Sequence, residues 1–310
     1  MPGRARGAPA LSGYAPGLPR HVLLPFVLVA CLAGCAPERS AGADEPAHAP
    51  RRVVSLNPSL TAILVEIGAA DALVGVDDFS ARQQASVASL PRVGGLYNPS
   101  LEAVVGLQPD LVVLVPSAEQ RDFRARLREL GVPVLALDPV DFDEVLASIE
   151  TLGARTGHAE AARERVARIR RTRAAVETAT APLPRPRTVL VLQRDPLFVV
   201  GRGGFVDEML GAAGAVNVAA SFDEPWPRVS REWLLAAAPE VILDSSADAE
   251  PAHTFWGRWP SLPAVRAGRV VAIPQGAATL PGPHLDRALV TLAESIHGIE
   301  IAAASRDRAP

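Results

Sequence analysis

Ser100-Leu101-Glu102-Ala103-Val104-Val105-Gly106-Leu107-Gln108-Pro109-Asp110-Leu111-Val112-Val113 and Ser230-Arg231-Glu232-Trp233-Leu234-Leu235-Ala236-Ala237-Ala238-Pro239-Glu240-Val241-Ile242-Leu243 align without a gap at a constant offset of 130 residues. Both copies carry the same punctuation. A serine able to cap a helix opens each, a glutamate falls in the first turn, a proline ends the helix after about two turns, and an apolar strand follows. Helices feeding continuously apolar strands belong to parallel sheets covered on both faces. The duplication therefore predicts two α/β lobes of like topology.

Working outward, short β-branched runs flank the first copy at Val53 to Leu56, Ala72 to Val76, Leu111 to Val115 and Val134 to Leu137. A second set lies at Thr188 to Leu192, Val216 to Ala219, Val241 to Leu243 and Val270 to Ile273. A weaker echo sets Glu66-Ile67-Gly68-Ala69-Ala70 against Met209-Leu210-Gly211-Ala212-Ala213. Between the sets, His158 to Thr178 lacks proline and glycine and puts Ala162, Val166, Ile169 and Val176 on one helical stripe. At ~1.5 Å rise per residue this is a rod of roughly 30 Å, which should limit lobe motion to small rocking. Its arginines, Arg163, Arg165, Arg168, Arg170, Arg171 and Arg173, read with Glu160 and Glu164 as a solvated face. The expected fold class is α/β: two similar lobes, each a mainly parallel sheet flanked by helices, joined by a single long backbone helix. The N-terminal lobe is expected at 51–156, the helix at 157–180, the C-terminal lobe at 181–300 and a tail at 301–310.

Ahead of the lobes, Arg4, Arg6 and Arg20 precede an apolar run from Val22 to Leu32 that is too short to span a bilayer. It ends in Leu32-Ala33-Gly34-Cys35, which is similar to the lipobox of bacterial lipoproteins. Residues 1–34 are thus expected to be a cleaved leader, Cys35 a lipidated first residue, and 35–50 a flexible tether. With 48% hydrophobic and 21% charged residues, the chain is excluded from the disordered class. Its net charge of −3 offers no broad basic field, so nucleic acid is not expected as a partner. All 31 basic residues are arginine, a bias from which no function is drawn.

Motifs for chemistry are sparse. There is no Gly-x-Ser-x-Gly elbow, and Gly201-Arg202-Gly203-Gly204 lacks a third glycine at Val206. After cleavage no free thiol remains, and the histidines are scattered, so no catalytic residue, metal or cofactor is assigned. Aromatic placement says more: Phe79, Tyr97, Phe198 and Trp226 are read as lying in loops at strand ends, which open onto the crevice where ligands bind. Pro225 and Pro227 hold Trp226 in an extended turn. Trp256 and Trp259 are read as core or lobe surface.

Glu224-Pro225-Trp226-Pro227-Arg228-Val229-Ser230-Arg231-Glu232 resembles the second-lobe signature of the cobalamin-binding components of ABC importers, and Val93-Gly94-Gly95 through Pro109-Asp110-Leu111-Val112 is similar to the first-lobe counterpart. The likeness runs from about Arg52 to Gly298, within the helical-backbone (class III) periplasmic binding proteins that carry siderophores, haem and cobalamin. It implies a monomer that holds one corrinoid between its lobes as cargo and delivers it to a permease with its ATPase. By that resemblance Phe79, Phe198 and Trp226 contact the corrin. Leu96 stands where the family has a tryptophan, with Tyr97 beside it, and Gly276-Ala277-Ala278-Thr279-Leu280 replaces a more polar flanking segment, so that Gly276, Thr279 and Leu280 join the candidate ligand site. Glu102 and Glu232 correspond to the glutamates that dock on the permease; capping their own helices is the alternative role. Two other cargoes stay open. The axial tyrosine of haem binders aligns with Gly95, two positions from Tyr97, and Arg82, Arg92, Arg194, Arg202 and Arg228 near the cleft would suit an anionic ferric siderophore. A chelatase-like enzyme acting on a tetrapyrrole would have to rely on His284, expected in the final cleft loop.

Overall fold

The structure is a computed structural model and describes residues 49–117 and 120–301, which belong to one compact unit. The expected leader, Cys35, the tether up to residue 48 and the tail from 302 lie outside the described residues.

In the first lobe, β1 (Val53–Ser55) passes through Asn57 into α1 (Pro58–Glu66). Asn57 accepts the Ser59 N–H, and Pro58 takes a first-turn position where no N–H is needed. β2 (Leu73–Val76), α2 (Asp78–Gln83), α3 (Leu101–Gly106), β3 (Leu111–Leu114), α4 (Arg121–Glu129), β4 (Val134–Ala136) and α5 (Phe142–Thr156) follow. The strands lie in the order β2-β1-β3-β4, all parallel. After α6 (Ala159–Thr180) the second lobe runs β5 (Arg187–Arg194), β6 (Leu197–Val199), α7 (Phe205–Ala212), β7 (Val216–Asn217), α8 (Arg231–Ala237), β8 (Val241–Asp244), α9 (Ala252–Trp256), α10 (Pro263–Arg266), β9 (Val270–Ala272) and α11 (Leu285–His297). Its order is β6-β5-β8-β9, with β7 parallel to the start of β5. The fold class is the one the duplication predicts, and each expected strand is present to within two residues at either end.

The repeat reaches deeper than the aligned letters. Ser100 and Ser230 cap α3 and α8 through the N–H groups of Ala103 and Trp233, at 3.2 and 3.1 Å. Gln108 and Ala238, each just before a proline, both adopt left-handed backbone with φ of 47° and 44°, strained by about 1 kcal/mol. A cation from the start of the first strand of each lobe covers that turn: Arg52 donates to the carbonyls of Leu107 and Gln108, and Arg187 to that of Ala237. The acid after each proline answers, Asp110 accepting the Arg51 and Arg52 N–H groups and Glu240 that of Arg187.

Alternation along the strands divides the interior. Leu111 and Val113 face inward while Val112 and Leu114 face an outer cluster with Val104 and Leu127. In the second lobe Leu190, Val241 and Leu243 face inward, and Val189, Val191 and Ile242 meet Leu234 and Trp256. The two inward faces share one continuous apolar cluster through α1, α5, α6, α7 and α11, in which Ala162, Val166, Ile169 and Val176 of the helical stripe are all buried.

Four details differ from expectation. β6 was unforeseen; it turns back antiparallel on β5, so Phe198 is a strand residue opposite Gln193 and not a loop residue. Phe79 sits in the first turn of α2. The helix-end echo is displaced by three residues: the left-handed glycines are Gly68 (φ 87°) and Gly214 (φ 80°), and Ala69→Leu64 and Ala215→Leu210 bonds close the same turn in both lobes. Gly211 stays inside α7. Finally, two arginines of α6 leave the solvated face. Arg165, 6% exposed, pairs with Asp286, donates to the Pro283 carbonyl at 2.6 Å and lies 3.6 Å from Glu66. Arg173 covers the Phe142 ring at 4.5 Å and reaches Glu208 at 3.8 Å. Each bridges one lobe to the other, because a cation on the buried side of a helix needs partners wherever they are.

Candidate functional site: a hollow between the lobes

In parallel sheets ligands are met at the carboxyl ends of the strands. A cavity of about 480 Å³ lies there, bounded by both lobes. From the first come Asn57 and Ser59 at the start of α1, Tyr97, Val115 beyond β3, and Asp138 to Val140 beyond β4; from the second come Gly204 and Phe205 at the start of α7, Pro225, Trp226 and, before α11, Pro281. Two other hollows, of about 470 and 450 Å³, border strand starts instead and each belongs to one end of the sheets, the first at Arg51, Asp110 and Pro133, the second at Pro186 and Arg269.

The lobes touch at the cavity edge. Phe205 donates its N–H to the Val140 carbonyl at 3.0 Å, and Phe142 donates to the Glu208 carboxylate at 3.2 Å. Glu144 completes a capping box with Asp141 and also accepts the Val140 N–H at 3.0 Å, so the Asp138–Asp141 turn is fixed from its own helix.

Trp226 is 40% exposed and its loop is clamped. Gly201 donates to the Pro225 carbonyl at 2.9 Å, Val199 to Pro227 at 3.2 Å and Val229 to Leu197 at 2.9 Å, so the segment runs along the open edge of β6. Arg202 pairs with Asp223 at the loop's start. Tyr97, 67% exposed, tips the tight turn between Gly94 and Pro99, whose Leu96 carbonyl accepts from buried Gln120. These two rings are the members of the expected set that line the common hollow.

Phe79, Leu96, Phe198, Gly276, Thr279 and Leu280 are not among the lining residues. Asp77, fully buried, caps α2 through the N–H groups of Phe79 and Ser80 and is tied through Ser80 and Thr61 to Ser55. That network fixes the backbone at Phe79, whose exposed ring carries Arg82 over one face at 4.6 Å. Phe198 is half-buried and bridged to Arg228. Gly276 (φ 78°) opens the turn that holds half-buried Thr279 and exposed Leu280, next to Pro281 of the lining. Sequence reasoning missed Asn57, Ser59, Asp138 and Phe205. A signal for Asn57 existed, since an Asn-Pro helix start right after the first strand must lie at the carboxyl edge; nothing local marks Asp138.

His284 immediately precedes α11, three residues beyond Pro281 of the lining; it is not itself a lining residue and lies 3.9 Å from Glu66. Burial, foremost, lowers its pKa below 6.5, against the pull of Glu66. Among the described residues no three His, Cys, Asp or Glu side chains gather as metal ligands, and no helix is long and apolar enough to cross a membrane. Glu102 and Glu232 are exposed in the first turns of α3 and α8. The Glu232 carboxyl is held below its usual 4.5, first by its own backbone N–H and then by Ser230.

Two mainly parallel sheets joined by one long helix, with a lobe-spanning hollow at the strand ends, define a two-lobed solute-binding protein. A model of the periplasmic binding protein family matches residues 53–277, and the chain belongs to that family. It is 28% identical over 213 residues to the vitamin B12-binding protein of Yersinia pestis (strain Pestoides F), covering 68% of this chain and 76% of the relative. The periplasmic vitamin B12 binding protein BtuF of Vibrio cholerae superposes with a TM-score of 0.71 at 25% identity, over 83% of this chain and 98% of that one. The periplasmic heme-binding protein RhuT from Roseiflexus sp. RS-1 gives 0.71 at 26%, over 80% and 98%.

Proposed function

We propose that the protein is an exported lipoprotein, anchored through Cys35, that captures cobalamin or a related corrinoid between lobes 51–156 and 181–300 and hands it to an ABC permease and its ATPase, doing no chemistry of its own. The observation that carries this reading is the shared hollow in which Tyr97 of one lobe and Trp226 of the other take part. Rings on opposite walls suit a broad planar cargo, since each buries much area at little entropic cost. A corrin with its side groups exceeds a hollow of about 480 Å³, so it would also meet the rim, where Phe79, Leu96, Phe198, Gly276, Thr279 and Leu280 are the candidate contacts. The vitamin B12-binding relatives favour a corrinoid.

Titration of the mature protein with cyanocobalamin tests this, with micromolar or tighter binding expected in calorimetry and a red complex on gel filtration. Trp226→Ala should weaken binding by about 2 kcal/mol, the cost of losing a central aromatic anchor. Absence of heat and of co-eluting colour would remove the corrinoid; an unchanged affinity in the variant would reduce Trp226 to loop packing.

A further inference from the structure

The sign of the cavity says more about its cargo than its shape does. Of the five arginines read from the sequence as near the cleft, none lines the hollow. Three are committed elsewhere: Arg82 lies over Phe79, Arg194 is buried against Asp244 at 2.9 Å, and Arg202 pairs with Asp223. The single charged side chain among the described lining residues is Asp138. Its carbonyl accepts the Val140 N–H at 3.0 Å, but its carboxylate has no hydrogen bond or ion pair among the described residues. The other polar lining groups carry no charge: Asn57 accepts the Ser59 N–H and keeps its amide donors, Ser59 and Tyr97 contribute hydroxyls, and the Phe205 N–H goes to Val140. Asp138, exposed and at the edge of the hollow, thus brings the lining a carboxylate with no protein partner.

A carboxylate in that position makes charge-assisted bonds to N–H donors. It repels another carboxylate, and more strongly once ligand has displaced water. We infer that Asp138 reads the cargo's charge: the cavity accepts a ligand whose rim carries uncharged carboxamide donors and rejects one whose rim carries carboxylates. The inference rests on the corrinoid reading and narrows it, since cobalamin is fringed by carboxamides whereas haem bears two propionates and many siderophores are anionic. It is specificity by an unfavourable contact as much as by a favourable one.

The test compares cyanocobalamin, its monocarboxylic acids (one side-chain amide hydrolysed) and haemin, on wild type and Asp138→Asn at pH 8. The side chain has no structural partner, and the substitution keeps its size. At least one monocarboxylate should bind about tenfold or more weakly than the parent amide to wild type, and Asp138→Asn should level the two. Equal affinity for parent and all acids in wild type, or a difference untouched by Asp138→Asn, overturns the role of Asp138 while the corrinoid reading stands. Haemin binding without cobalamin binding, or binding of none of the three, overturns both.

Discussion

Arg165 illustrates how one buried charge fastens the molecule. Its guanidinium joins α6 to Asp286 and Pro283 of the second lobe and approaches Glu66 at the end of α1 in the first. Water is largely absent there, so the pair is held by geometry, and removing one partner strands the other charge. Asp286→Asn should cost about 3 kcal/mol of unfolding free energy, softened by what Glu66 can supply, read as a lower urea midpoint at unchanged slope. A loss under ~1 kcal/mol would mean that solvent reaches the guanidinium. Nothing in the arginine-rich helix marks Arg165 apart from Arg163 or Arg168; only its place on the stripe beside Ala162, Val166 and Ile169 sets it inward.

Among the elements, the β5–β6 hairpin governs where Trp226 stands. A Cβ on Gly201 would come to 2.2 Å from the Glu224 carbonyl and 2.7 Å from Pro227 Cδ. The backbone of the Trp226 loop thus occupies the space a side chain would need, between two prolines that cannot yield. Gly201→Ala should destabilise by roughly 1–3 kcal/mol, as overpacking does, and weaken cyanocobalamin binding with it. Gly211→Ala is the control: it lies inside α7, where a Cβ would meet nothing within 4 Å, and should gain ~0.5–1 kcal/mol with affinity intact. Equal behaviour of the two variants would show that the loop moves freely.

For the whole molecule, the pseudo-symmetry repeats one exposed glutamate per lobe. Glu102 and Glu232 each follow a capping serine at helix starts that topology sets on the cleft-facing edge of the sheets. Capping their helices accounts for each alone, at about 0.3–1 kcal/mol; a pair in matching places would also let a two-fold symmetric permease mouth grip both lobes. Reversing both to arginine should abolish corrinoid uptake in cells while leaving cyanocobalamin affinity unchanged. Persistent uptake would leave capping as their whole role. The continuous inner cluster and the two arginine bridges oppose wide separation of the lobes, in keeping with the small rocking that the rod-like helix suggests.

Architecture was written locally. The serine caps, prolines and apolar runs around Val112 and Ile242 are short-range signals, and a gapless repeat of them is enough to specify twin sheets; the unbroken stripe of α6 is enough to specify the rod. Reversal of the chain into β6 was not so written, because a three-residue strand is defined by the neighbour it pairs with. The same holds for the site. Trp226 and Tyr97 were legible as rings in rigid turns, but their meeting in one hollow, the withdrawal of the arginines and the isolation of Asp138 depend on contacts between residues far apart in sequence. Periodicity tells a side chain which face it is on; only packing of one lobe against the other decides what it faces.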